Sequence, residues 1–362
     1  MVTARFLPRI GGTELHTYEL ARRLVARGVD ITVLTTDVDA GVLQSESEFG
    51  FRVVRVKAWP RRRDWYLAPG ITSVIGSGEW DIVHVQGIHT LVLPMTLAAL
   101  SRTDVPYIIT LHSGGSSSII RQRSRPVFWR LIARWIRAAE RIIAVSEFER
   151  ETFSGLLRLP QSKVVVIPSG ADLPRSSERE NTDGLQREDA AGPLIVSVGR
   201  LERYKGHDRI LRALPAIADA FPNVRLLIVG SGPYERRLQQ IARDLRVTSR
   251  VEIRAIPVGS REELNAVLDK AALVVALSAY ESQGLAAMEA AARDRSVLVA
   301  DSSALHELIE RGLARGVGLD ATENLAAAVI QQLRNPHRPA GKIPTWEECA
   351  ADVHALYAAI TG

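Results

Sequence analysis

The sequence predicts an α/β protein built from two Rossmann-like, doubly wound parallel sheets. Short apolar, β-rich runs alternate with longer amphipathic stretches through both halves of the 362 residues. Many of these runs are apolar at consecutive positions, as strands buried on both faces are. Between the halves, residues 171–192 include PRSSERENTDGLQREDAAG, a polar stretch almost free of large apolar side chains. It reads as an exposed linker between a first domain, 1–170, and a second, 193–344. Open parallel sheets bind ligands at the carboxyl ends of their strands, so two such domains facing one another would form an interdomain cleft.

In the first domain the strand candidates are Val2 to Phe6, 31–35 (ITVLT), 52–57, 81–86 (DIVHVQ), 106–111 (PYIITL), 141–145 and 163–167. Helical patterns lie between several of them. The clearest is 12–28, where Leu15, Leu20, Leu24 and Val25 share a face and Gly28 marks the stop. The first strand is short for a central position, as if clipped or preceded by a misplaced start. In the second domain the strands fall at 194–198, 224–229, 250–254, 272–277 and 296–300. Helices are expected at about 205–219, 234–245, 261–270, 282–292 and 304–312.

The composition, 46% hydrophobic and 24% charged, excludes a disordered chain, a collagen-like repeat and a coiled coil. The single cysteine, Cys349, excludes an internal disulfide framework and favours a reducing cytoplasmic compartment. No apolar run approaches the roughly 18 residues of a membrane span, and no secretory leader is read at the start. The net charge of +5 is uneven. Residues 1–170 hold 22 Lys and Arg against 15 Asp and Glu, and the remainder 24 against 26. A basic first half admits nucleic acid, an anionic membrane surface or a phosphorylated substrate as partner.

Six places could carry chemistry. Gly11-Gly12 follows the first strand and opens a helix, where free amides suit an anion; a plain turn is the equal alternative. Gly199-Arg200-Leu201-Glu202-Arg203-Tyr204-Lys205-Gly206 follows the first strand of the second domain. Its Arg200 fork and Lys205 ammonium could converge on a diphosphate. Gly230-Ser231-Gly232 begins like a dinucleotide fingerprint but has Glu235 at the third glycine position, so it reads as a turn lining the cleft. Glu281 and Glu289 are eight residues apart; a carboxylate can accept two hydroxyls of a vicinal diol, but an isolated pair reads first as a helix-capping acid and a solvated Glu. Between them Ser282, Gln283, Gly284 and Leu285 offer helix-start amides. His112 ends a strand before the hydroxyl-rich loop Ser113 to Ser118. Finally, Arg61-Arg62-Arg63 and Arg121, Arg123, Arg125, Arg130, Arg134, Arg137 and Arg141 form basic stretches, the later ones interleaved with Trp129 and Trp135. Such a basic helix with tryptophans can lie on an anionic membrane; an ordinary amphipathic helix with its apolar side on the sheet is the slightly favoured alternative, and its arginines could still face lipid or a phosphorylated acceptor.

Asp37-Val38-Asp39 has the spacing of an acidic metal pair but no supporting ligands, and the histidines and lone cysteine show no zinc spacing. Neither a Walker loop nor a G-x-S-x-G elbow is present.

Taken in order, these residues resemble family 4 of the retaining glycosyltransferases, which have the GT-B fold. The Gly-Gly turn, DIVHVQG at 81–87, the His112 loop, AVSEFE at 144–149, VIPSGAD at 166–172, SVGRLERYKG at 197–206 and the Glu281/Glu289 pair all fall in family order. The resemblance implies a metal-independent hexosyl transfer, without cofactor, from a nucleoside-diphosphate sugar to a hydroxyl of a glycan, glycolipid or small molecule. It gives His112, Arg200, Lys205 and Glu281 to the reacting centre. Gly11, Gly12, Gly199, Ser282, Gln283, Gly284, Leu285 and Glu289 fall to the donor, and Ser113, Ser116 and Arg121 to the acceptor side. It also implies that a closing helix within 345–362 packs back on the first domain. The sequence departs from the family at Gln283 (often Phe) and at Leu277 (commonly Pro). Asp294 and Ser303-Ala304 also depart, since the family usually has glycines there. A nucleotide-sugar epimerase and a sugar-nucleotide-binding protein without turnover are the alternatives. Partners are the nucleotide sugar, the acceptor and an anionic membrane surface at the cytoplasmic side; nucleic acid is not expected.

Overall fold

The structure is a computed structural model that describes residues 1–8, 11–37, 45–46, 49–60, 66–114, 119–171, 192–257 and 260–362, with backbone alone for 45–46 and 119–126. These residues divide into two units. The first takes the described residues up to Gly170 together with Pro344–Gly362, and the second takes Ala171–Ile343.

In the first unit the elements run β1 (Val2–Thr3), α1 (Gly12–Val25), β2 (Thr32–Thr36), β3 (Ser45–Glu46), β4 (Arg52–Val56), α2 (Gly70–Ser77) and β5 (Val83–Gln86). There follow α3 (Val92–Leu100), β6 (Tyr107–Thr110), α4 (Ile119–Ala138), β7 (Arg141–Ala144), α5 (Glu147–Leu157) and β8 (Val164–Val166). The sheet order is β3-β4-β2-β1-β5-β6-β7-β8. All pairings are parallel except that of β3 with β4. Strands β5 and β6 are buried at nearly every position, because helices cover both faces.

The second unit runs β9 (Leu194–Val198), α6 (His207–Ala220), β10 (Arg225–Val229), α7 (Glu235–Asp244), β11 (Val251–Arg254) and α8 (Arg261–Asp269). It continues β12 (Leu273–Ala276), α9 (Leu285–Ala292), β13 (Val297–Ala300), α10 (Leu305–Glu310), β14 (Arg315–Val317) and α11 (Thr322–Arg334). Its sheet is parallel throughout, in the order β11-β10-β9-β12-β13-β14. Both sheets place their first strand at the centre and reverse direction beside it, which is the doubly wound arrangement.

The last helix, α12 (Trp346–Thr361), belongs to the first unit and lies against α1. Thr345 and Glu348 close a reciprocal capping box at its start. Arg23 bonds Glu347 at 2.7 Å. Gly170 approaches so closely that a Cβ there would fall 2.0 Å from the Trp346 nitrogen.

The structure corrects several boundaries. The first strand ends at Thr3 rather than Phe6, since the chain leaves the sheet and Phe6 packs edge-on against Phe49 and Phe51. The helix expected at 282–292 starts at Leu285, because Gly284, at φ +82°, is its N-cap. The pattern at 304–312 is helical only over Leu305–Glu310, ahead of Gly312 at φ +70°. The sequence reading did not foresee β3, β14 or α11. The linker at 172–191 and the Arg61-Arg62-Arg63 run lie outside the described residues.

Candidate functional site

In the second unit, the sheet reverses direction between β9 and β12, and the chemistry-bearing loops leave the ends of these two strands. The loop after β9 carries Gly199, Arg200, Tyr204 and Lys205. The loop after β12 carries Ser278, Glu281 and Gly284.

The two loops are held together by backbone. Ala279 donates to the Tyr204 carbonyl at 2.8 Å. Gly206 takes φ +73°, and a Cβ there would stand 2.1 Å from the Leu277 oxygen, so only glycine fits. The Gly230-Ser231-Gly232 turn has a packing role. A Cβ on Gly230 would lie 1.9 Å from the Gly199 oxygen, and Leu201 donates to the Ser231 carbonyl at 2.9 Å. These glycines let the β10 loop support the β9 loop.

On this frame Lys205 Nζ donates to Glu281 Oε1 at 2.6 Å, and Ser278 Oγ donates to the same oxygen at 2.7 Å. Burial is the largest influence and works against the lysine charge, but Glu281 and Tyr204 together outweigh it and hold the ammonium pKa above its ordinary value. Arg200 is more exposed; its Nη2 donates to the Tyr204 hydroxyl at 3.0 Å and its Nη1 lies 3.3 Å from Glu202. The Tyr204 ring also lies under Lys205, 5.6 Å from Nζ to the centroid. Two cations, two carboxylates and an aromatic ring therefore form one cluster. Tyr204 and Ser278 were not singled out in the sequence, although both lie within quoted motifs.

The glycines this chain lacks turn out to be informative. Asp294 and Ser303 both adopt left-handed backbone, at φ +56° and +51°. Asp294 is the residue after the cap of α9, where its amide and that of Arg295 bond the Ala291 and Ala290 carbonyls in a Schellman closure. Ser303 uses its side chain: its Oγ accepts from the Glu281 amide at 2.9 Å. The residue that replaces glycine thus fastens the loop bearing Glu281.

Glu289, on α9, is nearly buried and pairs with Arg261 Nη2 at 2.7 Å. Arg261 was not anticipated, since it is 28 positions away and lies in no motif. The Gln283 side chain turns toward Met288 Sδ at 3.4 Å. Gly284, Ser282 and Leu285 form the uncapped start of α9.

In the first unit, Gly11 caps α1 with extended backbone and no side-chain hydrogen bond. A Cβ on Gly12 would meet nothing within 4 Å, and one on Gly11 would stand 2.6 Å from the Glu14 carboxylate. His112 lies beyond the end of β6 in left-handed backbone, at φ +45°. Its Nε2 is 2.9 Å from Gln86 Oε1, and its ring meets His16 edge-on at 4.4 Å. Burial drives the His112 pKa well below its ordinary value and that of His16 down to about 3. The next residue, Ser113, donates its amide to Glu149 at 2.5 Å, and Glu149 also accepts from the Val145 amide at 2.9 Å. This fully buried carboxylate, from the AVSEFE motif, pins the turn that bears His112. Its role was not read from the sequence. Ser116 lies outside the described residues, as does the side chain of Arg121.

On α4, Trp129, Ile132, Ala133 and Ile136 are buried, while Val127, Arg130, Leu131, Arg134 and Arg137 form an exposed face. The Asp37 carboxylate of the acidic pair accepts from the Ala58 amide at 2.7 Å. Among the described residues, no three His, Cys, Asp or Glu side chains converge to hold a metal ion, and no helix is long and apolar enough to cross a membrane.

The family description Glycosyltransferase Family 4 matches residues 10–175, and Glycosyl transferases group 1 matches residues 178–343. The chain is 28% identical over 330 residues to an uncharacterised glycosyltransferase of Methanocaldococcus jannaschii, covering 86% of this chain and 82% of that one. It is 26% identical to the phosphatidyl-myo-inositol mannosyltransferase of Mycolicibacterium smegmatis, over 97% of this chain and 91% of that one. Among solved structures, the sucrose-phosphate synthase of Thermosynechococcus elongatus superposes with a TM-score of 0.80 at 20% identity, covering 99% and 98% of the two chains. An Anabaena protein solved with UDP and glucose gives 0.70 at 19% identity, over 99% and 96%. The order of the strands, the two family matches and these relatives agree: the chain is a GT-B glycosyltransferase and belongs to family 4.

Proposed function

We propose that the protein transfers a hexose, with retention of anomeric configuration, from a nucleoside-diphosphate sugar to a hydroxylated acceptor. The observation that carries this reading is the cluster of Arg200, Tyr204, Lys205 and Glu281 at the switch point of the second sheet.

Arg200 and Lys205 would take the diphosphate. Negative charge grows on the departing diphosphate as the glycosidic bond breaks, and fixed cations and amides stabilise it without reorganisation. Lys205 would then share its donors between the diphosphate and Glu281. Glu281, oriented by Lys205 and Ser278, keeps a second oxygen for sugar hydroxyls. Gly284 and Leu285 would give helix-start amides to the sugar or phosphate. Glu289 would grip the ribose diol beside Arg261, while Gly11 and Gly12 would bring the α1 amides to the diphosphate. That requires the Glu14 carboxylate to yield its place near Gly11, because both are negative. His112 would contact the donor sugar near the reacting carbon. The two cations supply the charge for this chemistry, so no metal or cofactor enters the reading.

The UDP and glucose of the Anabaena structure and the mannosyl transfer of the mycobacterial relative both point to a nucleotide-hexose donor. The exposed Arg130, Arg134 and Arg137 face, with Val127 and Leu131, favours an anionic or membrane-borne acceptor at the cytoplasmic side.

The test is a panel of UDP-, GDP-, ADP- and dTDP-hexoses incubated with a mixed acceptor set, followed by proton NMR of the product anomer. Acceptor-dependent nucleotide release with the donor's anomeric configuration supports the reading. Conversion of donor alone to an epimer, or binding without turnover across the panel, replaces it with one of the two alternatives.

A further inference from the structure

The first unit contains a line of polar side chains buried beneath α1 and α12. His84 and Gln86 are two apart on β5, and Gln86 is in register with Thr110 on β6. Period-two alternation puts His84, Gln86 and Thr110 on one face, and His112 continues it. All four are buried. Tyr357, from α12, completes the line. A row of neutral polar groups in such a place persists when each donor meets an acceptor.

The orientation of the Gln86 amide, with its oxygen toward His112, sets the polarity of the row. The Gln86 amide spans the two rings: Oε1 is 2.9 Å from His112 Nε2 and Nε2 is 3.1 Å from His84 Nε2. A carbonyl only accepts and an amide NH2 only donates, so His112 carries its proton on Nε2 and His84 Nε2 is a lone pair. The Thr110 hydroxyl, 2.6 Å away, donates to that same lone pair. The neutral His84 ring therefore carries its proton on Nδ1 and donates to the Tyr357 oxygen at 2.7 Å. Burial keeps both rings neutral, with pKa values well below the ordinary value. The other titratable groups around His112 are His16 on α1, His89 on the loop after β5, and Glu149 on α5 behind the Ser113 amide. His112 Nδ1 has no hydrogen-bond partner among the described residues.

We propose that Gln86, His84 and Tyr357 are positioning residues that hold His112 as the Nε2–H tautomer, leaving its Nδ1 lone pair as an acceptor for a substrate hydroxyl. The substrate half of this statement rests on the proposed transferase reading; the tautomer half does not. A single amide inverts the proton pattern between the rings, so the two histidines are opposite tautomers. Neither ring can switch alone without breaking a buried bond; both switch only if the Gln86 amide turns over.

The experiment is long-range proton–nitrogen correlation of the imidazoles in protein labelled with 15N-histidine, with His112 and His84 assigned by His112→Asn and His84→Asn. At pH 7.5, His112 is expected as Nε2–H and His84 as Nδ1–H. Gln86→Leu should leave His112 a mixture of tautomers. Gln86→Glu, whose carboxylate accepts from both rings, should turn His84 to Nε2–H and let His112 protonate at higher pH. Tyr357→Phe, which keeps the ring packing, should disturb the His84 tautomer and move the His112 signal through Gln86. His112 as Nδ1–H, equal tautomers for the two rings, or a His112 signal indifferent to Gln86→Leu would each overturn the proposal. Should Gln86→Leu fail to fold, the wild-type spectrum decides alone. None of these readouts depends on turnover, so a failed transferase assay and a failed relay are separate results.

Discussion

Lys205 and Glu281 form an ion pair of 2.6 Å between loops that leave adjacent strands of the second sheet, 76 residues apart in sequence. The pair poises a cation for phosphate and a carboxylate for hydroxyls within one hydrogen bond of each other. The carboxylate favours the charged form of the ammonium before any substrate arrives.

Lys205→Met should therefore weaken binding of a nucleoside diphosphate about 10- to 100-fold, the equivalent of a hydrogen bond to a charged group at about 1.5–3 kcal/mol. Titration calorimetry with the preferred diphosphate measures it. An unchanged affinity would remove Lys205 from the diphosphate site.

Gly206→Ala should destabilise the second unit by about 2 kcal/mol or more, because a Cβ would be forced onto the Leu277 carbonyl in left-handed backbone. Urea unfolding followed by tryptophan-independent circular dichroism reads the change. A loss below about half a kcal/mol would show that the loop relaxes.

Asp294→Gly should act in the opposite direction. Left-handed backbone costs an L-residue about 1–2 kcal/mol, and glycine's extra unfolded-state entropy returns part of the gain, so a net stabilisation of about 0.5–1 kcal/mol is expected. Ser303→Gly relieves the same strain but deletes the bond from the Glu281 amide, so it should gain less stability than Asp294→Gly and loosen donor binding. Equal gains at the two sites would contradict a role for the Ser303 hydroxyl.

Stability should fall as the medium is acidified from about pH 7 toward pH 5. His16, His84 and His112 are neutral in the fold, with burial lowering their pKa values, that of His16 to about 3. In this range the unfolded chain takes up more protons than the folded one. The stability these groups contribute is full above the unfolded histidine pKa near 6.5 and is lost below it. Each such histidine adds a slope of about 1.4 kcal/mol per pH unit. A melting temperature flat between pH 7 and pH 5 would contradict their burial as neutral rings.

The fold was legible because both sheets are parallel and buried, which writes their strands as apolar runs such as LIVSV at 194–198. The edges were not: β14 is only Arg315-Gly316-Val317, and two of its three side-chain positions are exposed. The site was legible where one motif holds its parts, as with Lys205 and Gly206. It was illegible where distant positions converge. Arg261 on Glu289, Ser303 on the Glu281 amide and Glu149 on the Ser113 amide are long-range bonds that no spacing encodes. The buried histidine row escaped notice for a similar reason: His84 and Gln86 look like polar interruptions of a strand until Thr110 and Tyr357 are placed beside them. The departures at 294 and 303 were visible as missing glycines, but only the backbone angles show that the left-handed turns are kept.

The central claim is a nucleoside-diphosphate site around Arg200 and Lys205, and thermal unfolding with UDP, GDP, ADP and dTDP at millimolar concentration, without added metal, tests it most directly. A ligand at 100 times its dissociation constant adds about 2.7 kcal/mol of stability. The account predicts a clear rise in melting temperature with one of the four, reduced in Arg200→Ala and in Lys205→Met. No rise with any of the four, or a rise that both variants retain in full, would contradict it.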